Sequence, residues 1–391
     1  MAHLLIGFAE ALPAPEVVFS LRAAGHRISA FARRGDLVLR HLELDSLHVI
    51  PAPEKSISDA AEALRSLFLK PSAPDLVMPL DDSGLWLVNH ALADTGRIAG
   101  ATGHQAKVAL DKSLQIEAAS AAGLPVPPTQ VVRTPTELAS LTDFPVIVKP
   151  AMAVSSHQGR LGKGDASYLT DLVAAQALQH SLTEDMDPLL VQPLIAGRGE
   201  GVFGFAGSKG VVAWSGHIRL RMMNPHGSGS SACVSNPPDQ DLRQGVSDFL
   251  NRIGWRGPFM VELLRDSKGT PWFMELNGRM WGSMALARRQ GLEYPAWAAS
   301  AAIDPEFVPD PPQLPPEPLI LRHLGRDLVH LLFVLRGPKS AFHKKDWPSF
   351  ARSAAGVLRP APPRMFYNYD PDHRLYFLRD AVATIKGQLS R

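Results

Sequence analysis

The residues best equipped for chemistry in this sequence stand in Phe273-Met274-Glu275-Leu276-Asn277-Gly278-Arg279. Side chains along an extended strand alternate with period two, so Glu275, Asn277 and Arg279 are expected on one face. A carboxylate and an amide oxygen are hard donors of the kind Mg²⁺ takes, and a guanidinium grips a phosphoryl group. Glu262, in Met260-Val261-Glu262-Leu263-Leu264, is expected on the neighbouring strand of the same hairpin. Flanked by apolar residues, its charge is costly unless a metal or a cation pairs with it. A plain salt bridge between Glu275 and Arg279 is the competing reading, and it leaves Glu262 and Asn277 without a role.

Phosphoryl transfer from ATP further requires cations on the α- and β-phosphates and donors around the transferring group. Lys149 ends a short apolar strand and is fixed by Pro150, while Lys112 stands on a preceding element, so the two lysines can approach one polyphosphate from two sides. Each taken alone reads rather as a solvated surface charge. The stretch Ser155-Ser156-His157-Gln158-Gly159-Arg160-Leu161-Gly162-Lys163-Gly164 has the composition of a phosphate lid. Its glycines let backbone N–H groups approach an anion, and Ser155, Ser156, Arg160 and Lys163 add donors. A flexible surface loop is the alternative.

Those residues need elements to hold them. The first hundred residues alternate strand and helix signals: Leu4-Leu5-Ile6, a helix carrying Val17, Val18 and Leu21 that stops at Gly25, a strand over Arg27 to Phe31, and another over Asp75 to Leu80 closed by Asp81-Asp82-Ser83-Gly84. Such alternation implies a small open parallel sheet. No G-x-G-x-x-G follows the first strand, where the turn reads Gly7-Phe8-Ala9-Glu10, so a dinucleotide cradle is not expected. One helix is expected from Gln105 to Ala122, with Asp111 and Lys112 near its middle and a stop at Gly123-Leu124-Pro125. Strands are expected at Val146 to Lys149, Leu189 to Gln192, Gly201 to Phe205 and Val211 to His217. A hairpin follows at Phe259 to Leu264 and Trp272 to Glu275, then a helix from Trp281 to Gln290. Seven of the fifteen residues from Asp304 to Pro318 are proline, the composition of a stiff linker.

Bulk properties narrow the classes. A chain of 391 residues exceeds one compact core, so two or three domains are expected. The net charge of +2 argues against a dedicated nucleic-acid binder. The single cysteine, Cys233, allows no internal disulfide; a reducing cytoplasm fits best, and the thiol itself reads as inert. The apolar start at Leu4 lacks a basic flank and a cleavage site and reads as a strand, not a signal peptide. No stretch approaches the ~18 apolar residues of a membrane span. From Leu319 to Arg364 nine Lys/Arg stand against two Asp/Glu. That segment either docks on an anionic membrane or partner, or packs as an accessory helical layer.

At these residues the chain resembles the ATP-grasp superfamily over roughly residues 1 to 300, and within it the predicted carboxylate–amine ligase type. The likeness rests on the order of Asp111-Lys112, Pro145 to Pro150, Val191-Gln192-Pro193-Leu194-Ile195-Ala196-Gly197, Glu262, Glu275-x-Asn277-x-Arg279 and Trp281-Gly282-Ser283. It implies an α/β (α+β) fold: an N-terminal pre-ATP-grasp parallel sheet domain (1–105) and a two-subdomain ATP-grasp domain (106–303) with a lid loop at 153–165; beyond the resemblance, the sequence itself reads as the linker 304–318 and a helical C-terminal extension (319–391). By position, Lys112 and Lys149 would bind phosphates, and backbone groups of Val191, Gln192 and Leu194 would read the adenine edge. Glu262, Glu275 and Asn277 would hold one or two Mg²⁺, with Mn²⁺ as a substitute. Arg279 would steady the γ-phosphoryl group.

Three departures stand out. The hinge carries Gln192 where an acid often meets the ribose, leaving Glu200 as the displaced candidate. Gly278 replaces the usual proline between Asn277 and Arg279, which loosens the backbone, and the lid is unusually basic. The implied activity is a cytoplasmic ATP-dependent ligase that joins a small-molecule carboxylate, activated as an acyl phosphate, to an amine or thiol. A homodimer is a common assembly for such enzymes. Arg219 and Arg221, spaced to share a strand face, and Ser283 are candidates for gripping the acceptor carboxylate; solvated arginines are the alternative. A phosphotransferase and a non-catalytic ATP-binding protein remain the rival functions.

Overall fold

The computed structural model of the chain describes residues 1–338, 344 and 347–389. Its N-terminal part opens with β1 (His3–Gly7), α1 (Ala14–Ala23), β2 (Arg27–Ala32), β3 (Ser46–Val49), α2 (Ile57–Leu67), β4 (Leu76–Pro79) and α3 (Asp82–Leu92). The four strands form one parallel sheet in the order β3-β2-β1-β4. Leu4 and Ile6 face a cluster on one side, Leu5 and Phe31 a cluster on the other, so both faces are covered, as parallel sheets require. Asp81 closes β4 and N-caps α3 by accepting from Gly84 N at 2.6 Å.

The expected helix from Gln105 to Ala122 is two helices, α4 (Gly103–Leu110) and α5 (Lys112–Ala121). Asp111 breaks it: its backbone is extended and its carboxylate caps α5 through Ser113 N (2.9 Å) and Leu114 N (3.3 Å). An aspartate competes for backbone donors and so favours a cap over a helix interior. Lys112 therefore opens a helix instead of sitting inside one.

A four-stranded antiparallel sheet follows, in the order β5-β10-β6-β9. It is built from β5 (Gln130–Val132), α6 (Pro135–Leu138), β6 (Val146–Pro150), β9 (Ser167–Leu169), α7 (Leu172–His180) and β10 (Leu189–Pro193). Between β6 and β9 the expected lid is a hairpin, β7 (Ser155–His157) and β8 (Arg160–Gly162).

The largest sheet is antiparallel, in the order β15-β14-β11-β12-β13-β16. Its strands are β11 (Arg198–Gly207), β12 (Gly210–Asn224), β13 (Ser228–Ser235), β14 (Gly257–Arg265), β15 (Pro271–Asn277) and β16 (Ile320–Arg322). Helices α8 (Gln240–Arg252), α9 (Met284–Arg289) and α10 (Tyr294–Ile303) are interleaved with them. Segment 304–318 contains no helix or strand, yet it is more than a spacer: Leu314 packs against the main core and Pro312 meets Gly291.

The C-terminal segment comprises α11 (Leu324–Arg336), α12 (Phe350–Leu358) and α13 (Tyr376–Leu389). It is not merely a helical layer, because β16 extends the large sheet through β13. Part of its basic charge turns inward: Arg322 is buried and Arg326 partly so, whereas Arg336, Lys344, Arg352, Arg359 and Arg364 are exposed and Lys339 and Lys345 lie outside the described residues. Among the described residues no helix is long and apolar enough to cross a membrane.

Candidate active site

Strands β14 and β15 pair so that Glu262 lies directly opposite Glu275, and the ladder is bulged immediately after Glu262. Two carboxylates brought face to face repel unless cations intervene. Here each has one: Arg219 Nη2 approaches Glu262 Oε2 at 2.8 Å, and Lys112 Nζ approaches Glu275 Oε2 at 3.4 Å. Burial raises the Glu262 pKa, but the Arg219 guanidinium outweighs it, and the carboxyl is held below its ordinary range.

The position of β15 is fixed by a residue that sequence reasoning missed. Gln115, buried on α5, accepts from Leu276 N at 2.8 Å and donates to Leu276 O at 3.2 Å. Leu276 is flanked by Glu275 and Asn277, so this amide clamps the strand between them. The same side chain donates to the carbonyls of Val108 and Ala109, both at 3.0 Å, tying the site to the α4–α5 junction. Gly278 follows. A Cβ there would collide with Ala109 and crowd Trp255, so this glycine serves close packing and not a loosened backbone.

Arg279 lies beyond the end of β15 and reaches the N-terminal sheet, where its Nε donates to Asp82 Oδ1 at 3.0 Å. Asp82 also receives Lys163 of the lid at 3.2 Å. Burial would raise the Asp82 pKa; Arg279 and Lys163 overcome it and hold it at about 2. Asp81 and Asp82 were read only as a turn. Their place at the carboxyl end of a parallel strand, where such sheets bind ligands, was the available signal.

A cleft of about 320 Å³ is lined by Glu262, Glu275, Asn277, Arg279, Arg219 and Ser283. Six of the expected residues thus converge, from β12, β14, β15 and the turn after it. Lys149 joins from β6: burial, together with the charge of Lys112 and against the pull of Glu275 and Glu262, lowers its pKa to about 8. His217 adds a neutral wall. Burial and then Arg219 lower it to about 3, against Glu262, and its Nδ1 lies 2.9 Å from Ser283 Oγ. Arg219 Nε and Trp281 Nε1 are buried donors in this lining without an acceptor among the described residues.

Other expected residues are placed elsewhere. Arg221 does not share the cleft face with Arg219, because β12 is bulged between and after them; it turns to Asp327 of α11 instead. Glu200 is buried on β11 and engaged by Arg198 at 2.8 Å and Arg265 at 2.9 Å. Gln192 is buried on β10 and donates to Thr129 at 2.8 Å. Val191 and Gln192 pair with β6, and Leu194 N donates to Pro145 O at 3.2 Å. Ser155 and Ser156 sit on β7 of the lid, which docks on the N-terminal part: Ile57 N donates to Gly159 O at 2.8 Å and Leu161 N to Pro53 O at 2.9 Å. Cys233 is buried beside Tyr367, its pKa pushed up to about 12 by burial, which suits an inert thiol.

No family model and no curated protein matches the sequence. Solved structures do. An L-amino acid ligase from Bacillus licheniformis superposes with a TM-score of 0.61 at 16% identity, over 78% of this chain and 76% of its own. N5-carboxyaminoimidazole synthetase from Staphylococcus aureus, complexed with ADP, gives 0.63 at 14%, over 84% and 83%. The chain has the ATP-grasp fold. A third ATP-grasp structure is the biotin carboxylase domain dimer of the Hydrogenobacter thermophilus 2-oxoglutarate carboxylase, in complex with MgADP, ADP and bicarbonate. It gives 0.62 at 14%, over 82% and 74%.

The donor set also suits a hard cation. Glu262, Glu275 and Asn277 offer oxygen donors on two adjacent strands. Among the described residues there is no group of three or more His, Cys, Asp or Glu that could hold a metal ion by itself. Two carboxylates and an amide oxygen are the kind of donor set Mg²⁺ takes, the rest of its shell being filled by water and substrate phosphates.

Proposed function

We propose that this chain is an ATP-dependent ligase that activates a substrate carboxylate as an acyl phosphate and passes it to an amine. The observation that supports it best is the convergence of Glu262, Glu275, Asn277 and Arg279 on one cleft, with Lys112 and Lys149 beside it. ATP-grasp neighbours solved with ADP or MgADP add support.

In this reading Lys149 and Lys112 hold the α- and β-phosphates, and Arg279 leaves Asp82 to steady the γ-phosphoryl group. The hinge residues Val191 to Leu194 offer backbone groups to the adenine. Glu262, Glu275 and Asn277 would hold one or two Mg²⁺, which supplies charge neutralisation on the phosphate oxygens. The substrate carboxylate attacks the γ-phosphorus as the bond to the β–γ bridging oxygen breaks and ADP leaves. The amine then displaces inorganic phosphate. The protein contributes position and electrostatics and needs no nucleophile of its own. That accords with the neutral His217 and the protonated Cys233.

The test is ADP release from Mg-ATP with a panel of small carboxylates, amino acids and hydroxylamine, run beside Glu275→Gln. The expected result is hydroxamate with some carboxylates, lowered at least about 100-fold in the variant. ADP release without any trapped acyl group would transfer the reading to a phosphotransferase. Nucleotide binding without turnover would leave only an ATP-binding protein.

A further inference from the structure

Every acid in or beside the cleft already has a cationic partner. Glu262 pairs with Arg219, Glu275 with Lys112, Asp82 with Arg279, and Asp81 lies 3.5 Å from Arg33. One arginine of the lining is left over. Arg326, in the first turn of α11, has no carboxylate within 4 Å among the described residues, and its Nη1 donates only to the carbonyl of Ser230 at 3.0 Å. The groups that favour its charge are Tyr367, whose phenol burial keeps protonated, and Asp380, which is already engaged by His323 at 3.2 Å and Asn368 at 3.0 Å.

The fold goes to some length to put it there. Gly325 lets α11 lie against Ala381 of α13, where any Cβ would collide with backbone. Gly229 on β13 has φ +64, and a Cβ there would come within 3.0 Å of Arg326 Nη1. A glycine thus supplies both the left-handed turn and the room for the guanidinium. Burial lowers the Arg326 pKa, yet a guanidinium stays charged at any working pH. A desolvated, uncompensated cation at the wall of a cleft is costly unless a ligand completes it. Its planar fork matches a carboxylate.

We propose that Arg326 receives a second, non-reacting carboxylate of a substrate, so that this ligase acts on short dicarboxylic acids or amino acids and not on simple monoacids or amines. The inference rests on the ligase reading for the reaction, but its recognition step is separable from it. The same lining includes Met260, Leu12, Leu80 and Trp281, apolar surface suited to a short carbon chain. No sequence signal announced Arg326, because it enters the cleft only once α11 folds back on β13.

The experiment compares matched probes. Glutarate against butyrate tests a carboxylate on the acceptor; alanine against ethylamine, with a competent acceptor, tests one on the nucleophile. Binding is read by calorimetry on the wild-type protein with and without Mg-ADP, and turnover by ADP release. Arg326→Met and Arg326→Lys follow, with unfolding midpoints as the control for folding. The extra carboxylate should tighten binding or lower KM by about 10- to 100-fold in one pair, which identifies the carrier. Arg326→Met should erase that difference in a protein whose unfolding midpoint is kept, and Arg326→Lys should restore part of it. Equal binding of both members in both pairs overturns the proposal, as does a preference that survives Arg326→Met in a folded protein. Selective binding without any acyl transfer would instead sink the ligase reading and leave the carboxylate site standing.

Discussion

Two of the arginine–carboxylate clusters at the large sheet have opposite character. At Asp327 the carboxylate is fully buried, with Arg322 only 7% exposed; Arg221 takes one oxygen and Arg322 Nε the other at 2.7 Å. Arg322 spends its remaining donors on the carbonyls of Arg359 and Val357. The Asp327 carboxylate, with no exposed surface, has no oxygen left for a ligand. At Glu262 the carboxylate is 26% exposed and its partner Arg219 keeps an unsatisfied Nε. The same two side-chain types therefore make a closed joint in one place and a partly open, incompletely satisfied one in the other. The lesson is that donor accounting and access, not the presence of an ion pair, separate structure from function.

The sharpest way to break that comparison is to neutralise one acid in each cluster. Asp327→Asn strands the buried Arg322 guanidinium and the partly buried one of Arg221 and should cost roughly 3–5 kcal/mol in urea unfolding. Glu262→Gln should cost less, since the Glu262 carboxylate is 26% exposed where that of Asp327 is fully buried, while Mg-ATP-dependent ADP release drops at least about 100-fold. If both variants lose mainly stability, the cleft cluster is structural too.

A smaller effect concerns Lys149. Its folded pKa of about 8 lies below its ordinary 10.5, so between those values the unfolded chain binds the extra proton. Stability contributed by this group should therefore rise with pH across that window and be at its least below pH 8. A polyphosphate beside the ammonium restores its pKa. ATP binding near pH 8.5 should then take up part of a proton, seen as a binding heat that scales with buffer ionisation enthalpy. In Lys149→Met that dependence should vanish; its persistence would place the phosphates elsewhere.

How much of this was legible in the sequence follows from what each feature depends on. Period-two alternation placed Glu275 and Asn277 on one face because strand geometry is local, and the β4 turn showed itself through Asp81-Asp82-Ser83-Gly84. Asp111 was misread as a helix interior because a cap and an interior aspartate look alike until the backbone turns. Arg221 was misassigned because a β-bulge shifts the register without a sequence mark. Gln115 and Arg326 depend on contacts across 161 and 96 residues, and no local pattern encodes such separations. The C-terminal basic charge, read as a surface feature, is in part spent inside the molecule.

The smallest expected effect lies at the lid. Lys163 is 66% exposed and meets Asp82 at 3.2 Å, so the pair is worth little on its own. Two backbone hydrogen bonds, from Ile57 to Gly159 and from Leu161 to Pro53, latch the same hairpin independently. Lys163→Ala should therefore leave the unfolding midpoint nearly unchanged and alter the KM for ATP by only about 2- to 5-fold. Raising the salt concentration should mimic the substitution in the wild type and do nothing further to the variant. A loss as large as that of Glu262→Gln would mean that Lys163 touches the nucleotide itself. The lid would then belong with the partly open cluster, because Asp82, shared by Lys163 and Arg279, would be holding two phosphate-binding cations in reserve.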